Sequence, residues 1–253
     1  MRLASRSRNA GRDPHSPHRT DLSIRETMME SEGASSTLGA IDDATRCLVQ
    51  IAAAVAAADE STVRLVMESA LNVADPAKVD EVILQSYLFA GFPRTLNAAR
   101  TWRAVSGIAA PAADSDAELR NDSDWIGRGE ETCSVVYGES YEMLRENIRA
   151  LHPALDSWMI TDGYGKVLSR PALDLRSREL CIVAACAASG QQRQLHSHLH
   201  GALNAGASLA EVEAVLDSLS DLIEAEDLVR FRSLLSHVAS RRHPPRDGGS
   251  VVR

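Results

Sequence analysis

Aromatic side chains are scarce in this sequence: three Phe, three Trp and four Tyr make up 4% of 253 residues. A core so poor in rings and so rich in Ala, Leu and Val suits closely packed helices rather than a sandwich of β-branched strands. Basic charge is outweighed, with 27 Lys and Arg against 35 Asp and Glu and a net charge of −8. That balance argues against general binding to nucleic acid or an anionic membrane. No apolar run is long enough to span a bilayer, and no charged-then-apolar leader precedes a cleavage site, so a cytoplasmic location is expected. Cysteine is also sparse. Cys47, Cys133, Cys181 and Cys186 form no C-x-x-C pair and no zinc-ligand spacing, and they read as reduced structural thiols.

The ends differ in character from the middle. Residues 1–40 and 241–253 carry no helical periodicity and read as a disordered arm and tail. The basic stretch upstream of Met28 and Met29 is also a candidate for lying before the true translation start.

An internal repeat organises what lies between. Residues 46–72, "RCLVQIAAAVAAADESTVRLVMESALN", align without gaps on 178–204, "RELCIVAACAASGQQRQLHSHLHGALN". Arg46, Leu48, Ala52, Ala53, Ala56 and Ala70-Leu71-Asn72 recur as identities, and Glu81, Leu84, Ser86 and Arg100 fall on Glu213, Leu216, Ser218 and Arg232. Duplication is the expected cause: a first repeat over 41–106, a linker over 107–130 and a second repeat over 131–240.

Each copy reads as helices, and no run of alternating strands is found. Residues 176–188 follow an N-cap at Asp174 and are apolar on nearly every side. A second helix runs from Gln191 to Gly206, and a third begins after Ser208, where Ser208 and Glu211 form a capping-box pattern. In the first copy "PAKVDEVILQSYLFAGFPRTLNAARTW" reads as two helices broken near Gly91 and Pro93. "YGESYEMLRENIRALHP" reads as an amphipathic helix stopped by Pro153, with His152 at its C-terminal end, and Tyr164-Gly165 as a turn.

The stretch "LHSHLHGALNAG" holds the candidate chemistry. At 100° per residue Leu195, Leu199, Ala202 and Leu203 share an apolar face. His198 and His196 sit at its two borders, and His200 lies on the polar side facing solvent with His196. Periodicity alone cannot choose between His196 and His198. No metal cluster is expected, because His196 and His200 share a side that His198 does not.

"YGKVLSRPALDLRSREL" followed by "QLHSHLHGALNAGASLAEVEAVL" resembles the carboxymuconolactone decarboxylase family and its alkylhydroperoxidase D-like relatives. The matching elements are Tyr164-Gly165, Arg170-Pro171, Leu173-Asp174, Arg178-Glu179-Leu180 and His198 through Gly206; "YLFAGFPRTLNAAR" in the first copy is similar to the closing motif. The resemblance covers residues 44–105 and 130–238. It implies an all-α helical bundle of the alkylhydroperoxidase D-like type, made of two fused repeats. It further implies a homo-oligomer, here a trimer of tandem chains, with a small-molecule substrate and neither cofactor nor metal.

The resemblance assigns Glu179 and His198 to the family's glutamate and histidine. The first copy has Cys47 and Val66 there, so one site per chain is expected. The paired cysteines of the redox relatives fall on Gln191 and Gln194, which can form neither a thiolate nor a disulfide, so peroxiredoxin activity is the alternative rather than the expectation. The expectation is lyase chemistry of the kind found in aromatic catabolism: decarboxylation or a related proton transfer on a small anionic, lactone-type substrate. His198 would serve as acid or base, with Glu179 orienting it. Arg170 and Arg178 would anchor the anion and Tyr164 would donate a hydrogen bond. A non-catalytic oligomeric scaffold is the remaining alternative.

Overall fold

The computed structural model describes residues 39–114, 116 and 121–242. Among these the regular structure is all helix, and polar caps set where the helices begin. Helix α1 (Asp43–Ala57) starts at Asp42, whose carboxylate accepts from the Thr45 N–H at 2.7 Å. Asp59 does the same for α2 (Glu60–Ser69) and Asp75 for α3 (Pro76–Ser106), which has its proline in the first turn, where no N–H is missed. Gly91, at φ 76° and ψ 165°, breaks α3 into two arms beside Pro93, as expected from the sequence.

The segment 107–130, expected as a linker, ends in helix instead. Asn121 and Asp124 form a capping box that starts α4 (Asp122–Tyr137). Helix α5 (Tyr141–Leu151) stops before Pro153, which opens the short α6 (Pro153–Trp158). His152 does more than end α5: its Nδ1 accepts from the Ala154 N–H at 3.0 Å and caps α6. Residues Met159–Leu168 continue as a π-helical segment, so Tyr164-Gly165 is a helical stretch and not the expected turn. Gly129 of α4 and Gly165 of this segment let the two backbones touch. A Cβ at Gly129 would drive into the Ile160 carbonyl, and one at Gly165 into that of Trp125.

The last four helices follow the sequence closely. They are α7 (Leu175–Ala188), capped by Asp174; α8 (Gln192–Asn204), closed by Gly206 at φ 97°; α9 (Leu209–Asp217), with the Ser208–Glu211 capping box; and α10 (Ala225–Arg242). The final helix therefore extends past the expected repeat end at 240, while the expectations for residues 1–38 and 243–253 lie outside the described residues.

Helix α7 is the centre of the molecule, with every residue from Ser177 to Ala187 buried. A helix that is apolar all round needs partners on all sides, and α1, α3, α8 and α9 supply them. Its alanines, and those of α1, allow the two helices to lie along each other. Val49, Ile51, Leu180, Ile182 and Val183 fill the core. The helix starts of the two halves recur in step with the sequence repeat: Asp43 with Leu175, Glu60 with Gln192, and Pro76 one residue from the counterpart of Leu209.

Candidate functional site

Two turns of chain position the glutamate–histidine pair. Asp174 accepts from the Ser177 N–H at 2.9 Å and fixes the first turn of α7, which carries Glu179 into the interior, 0% exposed. Helix α8 places His198, 6% exposed, opposite it. His198 Nδ1 and Glu179 Oε2 lie 2.8 Å apart. Glu179 Oε1 has no hydrogen-bond partner among the described residues. The carboxylate fits because position 201 is glycine: a Cβ there would overlap Glu179 Oε2 and Val136 Cγ1. One turn on, the Asn204 amide donates to the Val136 carbonyl at 2.8 Å and ties α8 to α4. Phe89, from the first arm of α3, meets the His198 ring edge to face at 5.7 Å.

His198 forms part of the wall of a cavity of about 840 Å³. Leu88, Phe89, Leu144, Ile148, Leu155, Trp158, Met159 and Leu168 give it an apolar lining, and Tyr137, Tyr164, Gln194, Ser197, Asp162 and Arg193 give it polar points. Tyr164 and Tyr137 stack edge to face at 6.3 Å. Burial pushes the Tyr137 hydroxyl up to about 12 and the Tyr164 hydroxyl well above its ordinary value, with the Glu179 charge adding to both. Both phenols therefore stay protonated near neutral pH, and their hydroxyls hydrogen-bond each other. Asp162 is paired with Lys166 at 2.7 Å.

The expected anchors stand elsewhere. Arg178 is 0% exposed and fully engaged: it donates to Glu81 Oε2 at 2.6 Å, Gln85 Oε1 at 3.2 Å, and the carbonyls of Leu173 and Arg170 at 3.0 Å each. Arg170 donates to Glu81 at 3.0 Å and to Asp114 at 3.0 Å. Neither arginine lines the cavity beside His198. Together with Glu81, which 4% exposure places in the core, they clamp α3 to α7. The sequence signal for that clamp was a carboxylate set between Val79 and Val82, at core spacing on an otherwise apolar helix face. Arg193 is the cation that sequence reasoning missed. It is exposed at the cavity mouth, one turn before Ser197, and forms no ion pair among the described residues.

His196 and His200 are half-buried rather than turned to solvent. They stack at 5.0 Å and line a different cavity beside Asn147 and Arg241. Among the described residues no group of three or more His, Cys, Asp or Glu could hold a metal ion. All four cysteines are free and buried. Burial pushes the Cys133, Cys181 and Cys186 thiols up to about 12. Gln191 and Gln194 are exposed, and Gln194 lines the cavity. No described helix is long and apolar enough to cross a membrane.

Residues 157–224, which span Tyr164, Glu179 and His198, match the model of the Carboxymuconolactone decarboxylase family. "Peroxisomal protein 2" of Schizosaccharomyces pombe is 31% identical over 137 residues, covering 53% of this chain and 63% of that protein. "Peroxisomal protein 2" of Saccharomyces cerevisiae is 25% identical over 164 residues, covering 55% of this chain and 58% of its own length. The chain thus spans about three-fifths of the length of the curated relatives it matches. An all-α bundle and a matched segment that contains the buried glutamate–histidine pair agree, and residues 157–224 are a segment of the carboxymuconolactone decarboxylase family type.

Proposed function

We propose that the protein is an enzyme of acid–base proton transfer, acting by decarboxylation or a related step on a small anionic substrate such as a carboxylated lactone or β-keto acid. The observation that carries this is the 2.8 Å contact between Glu179 Oε2 and His198 Nδ1, with the same imidazole on the wall of a cavity. With Nδ1 committed to the carboxylate, Nε2 is the nitrogen left for a substrate. Decarboxylation breaks the bond to the carboxyl carbon, releases carbon dioxide and leaves the electron pair in an enolate. Tyr137, backed by its hydrogen bond with Tyr164, stabilises the enolate oxygen by donating a hydrogen bond, and His198 Nε2–H returns a proton to carbon. Glu179 holds the imidazole in the needed tautomer and balances its charge when protonated. An exclusively structural pair would rarely leave one buried carboxylate oxygen without a partner. Arg193 takes over the anchoring role expected of Arg170 and Arg178.

Thiol chemistry has less support. A thiol near 12 is almost wholly protonated at neutral pH, and the thiolate is the reactive form. Reaction of the folded protein with a thiol reagent at pH 8 should label none of the four cysteines within minutes. Rapid labelling of Cys133 or Cys186, followed by oxidation with peroxide, would restore the redox alternative.

Two tandem halves and self-association belong to the same proposal. The recurring helix starts support the first, and the exposed Leu65, Leu151 and Val229 support the second. Sedimentation should give a trimer. The relatives' names point to a peroxisomal site of action against the expected cytoplasmic one, and cell fractionation decides between them.

The activity test screens carboxylated lactones and β-keto acids for release of carbon dioxide. A substrate turned over by the wild type should lose at least about a hundredfold in kcat in His198→Asn. Unchanged turnover in that variant would remove the proposal, and no turnover of any compound would leave the scaffold alternative in its place.

A further inference from the structure

We infer that the cavity beside His198 takes an amphipathic monocarboxylic acid with an extended apolar body, rather than a compact polar diacid. This names the substrate class of the acid–base site and rests on that reading of it.

Size, lining and charge agree. At about 840 Å³ the cavity lies in the upper range for drug-sized ligands, so a compact ring acid would leave much of it unfilled. The chain has only three Phe, three Trp and four Tyr, and half of them, Tyr87, Phe89, Tyr137, Trp158 and Tyr164, line this one space. Helix α5 points the same way. It buries none of its residues completely, yet Leu144 and Ile148 are half-buried and turned to the cavity. Leu144 also packs on the core, and the apolar surface that the two residues leave open is what an alkyl or aryl chain would cover. Charge limits the other end. Arg193 is the one full cation among the lining residues, and Asp162 opposes a second anionic group even while paired with Lys166. A diacid would leave one carboxylate unmatched in an apolar space.

Trp158 stands on the cavity wall and is 59% exposed, while Trp102 and Trp125 are buried and do not line it, so tryptophan fluorescence reads occupancy. The probes are hexanoate, octanoate, decanoate and adipate, each below its micelle concentration, with decanol as the uncharged comparator. Kd should fall several-fold with every two methylenes and approach about fourfold per methylene at full burial. Adipate should bind no better than hexanoate. Ile148→Asn should flatten the chain-length series, and Trp158→Phe should remove the signal. Arg193→Gln should weaken decanoate about fivefold and leave decanol unchanged. A wild-type Kd independent of chain length, or adipate tighter than hexanoate, overturns the inference. So does a fluorescence change that follows protein concentration without ligand, which would mean that a second copy covers the mouth. His198→Asn separates the two proposals: it should keep the chain-length series while losing turnover. A flat series alongside lost turnover would sink the substrate class and spare the acid–base site, and a steep series with full turnover would do the reverse.

Discussion

Helix α1 presents Cys47 at the repeat position where α7 presents Glu179, and α2 presents Val66 where α8 presents His198. Around these positions the two halves keep the same helix starts. In the first half the Cys47 thiol lies 3.8 Å from the Ser69 carbonyl, and no acid–base pair forms. Yet that half is not idle. The first arm of α3, before the Gly91 break, brings Tyr87, Leu88 and Phe89 to the cavity, and Phe89 packs on the His198 ring. One half holds the glutamate–histidine pair and the other supplies part of the cavity wall beside it. The comparison teaches that a half without the glutamate–histidine pair still serves the cavity, because the wall is drawn from both.

The clamp between the halves is where the comparison breaks most readily. Glu81→Leu leaves Arg178 buried without its carboxylate and should cost about 3–5 kcal/mol in urea unfolding. A loss under 1 kcal/mol would mean that Arg178 and Arg170 hold nothing. Smaller in stability but larger in activity is Gly201→Ala. The added methyl displaces the Glu179 carboxylate, with an expected cost of about 1–3 kcal/mol and a fall in turnover comparable to that of His198→Asn. Gly127→Ala, where a Cβ meets nothing within 4 Å, should instead gain up to about 1 kcal/mol as an ordinary helix position.

A further effect concerns acid. Hydrogen bonds from Arg145, then from Arg149 at 2.8 Å, hold the Asp156 carboxyl below its usual range against the opposing pull of burial, and they fasten α5 to α6 beside the cavity. A carboxyl lowered by folding contributes in full above its unfolded value, about 4, and the contribution fades as pH falls through the folded value. Asp156→Asn should therefore cost about 1.5 kcal/mol at pH 7 and flatten the loss of stability below pH 4. An unchanged acid-unfolding slope would contradict this.

Much of the fold was legible because local rules decided it. Asp174, Ser208 with Glu211, Gly91 and Gly206 each act as a cap or a break within one turn of chain, and all of them do so where the sequence placed them. The linker was misjudged at its end, where a capping box at Asn121 and Asp124 outweighed a composition rich in Ala, Pro and Gly. The π-helical run at 159–168 was illegible. Its Gly165 lies against the Trp125 carbonyl, a tertiary contact that no local pattern records. At the site the resemblance singled out His198 and Glu179, and the structure brings them together. The arginines were misassigned for a physical reason: a cation near a site looks alike in sequence whether it faces a cavity or a buried carboxylate, and Glu81 lies far along the chain from both. Arg193 went unnoticed because an exposed charge in the first turn of a helix is common, and only the cavity gives it meaning.

The most direct measurement compares turnover of one substrate by Glu179→Gln and by Cys47→Ala, the same repeat position in the two halves. Glu179→Gln should lose at least about tenfold in kcat, since the amide no longer balances a protonated imidazole, while Cys47→Ala stays within about twofold of wild type. Equal losses in the two variants, or a loss confined to Cys47→Ala, would contradict the claim that the glutamate–histidine pair of the second half does the chemistry.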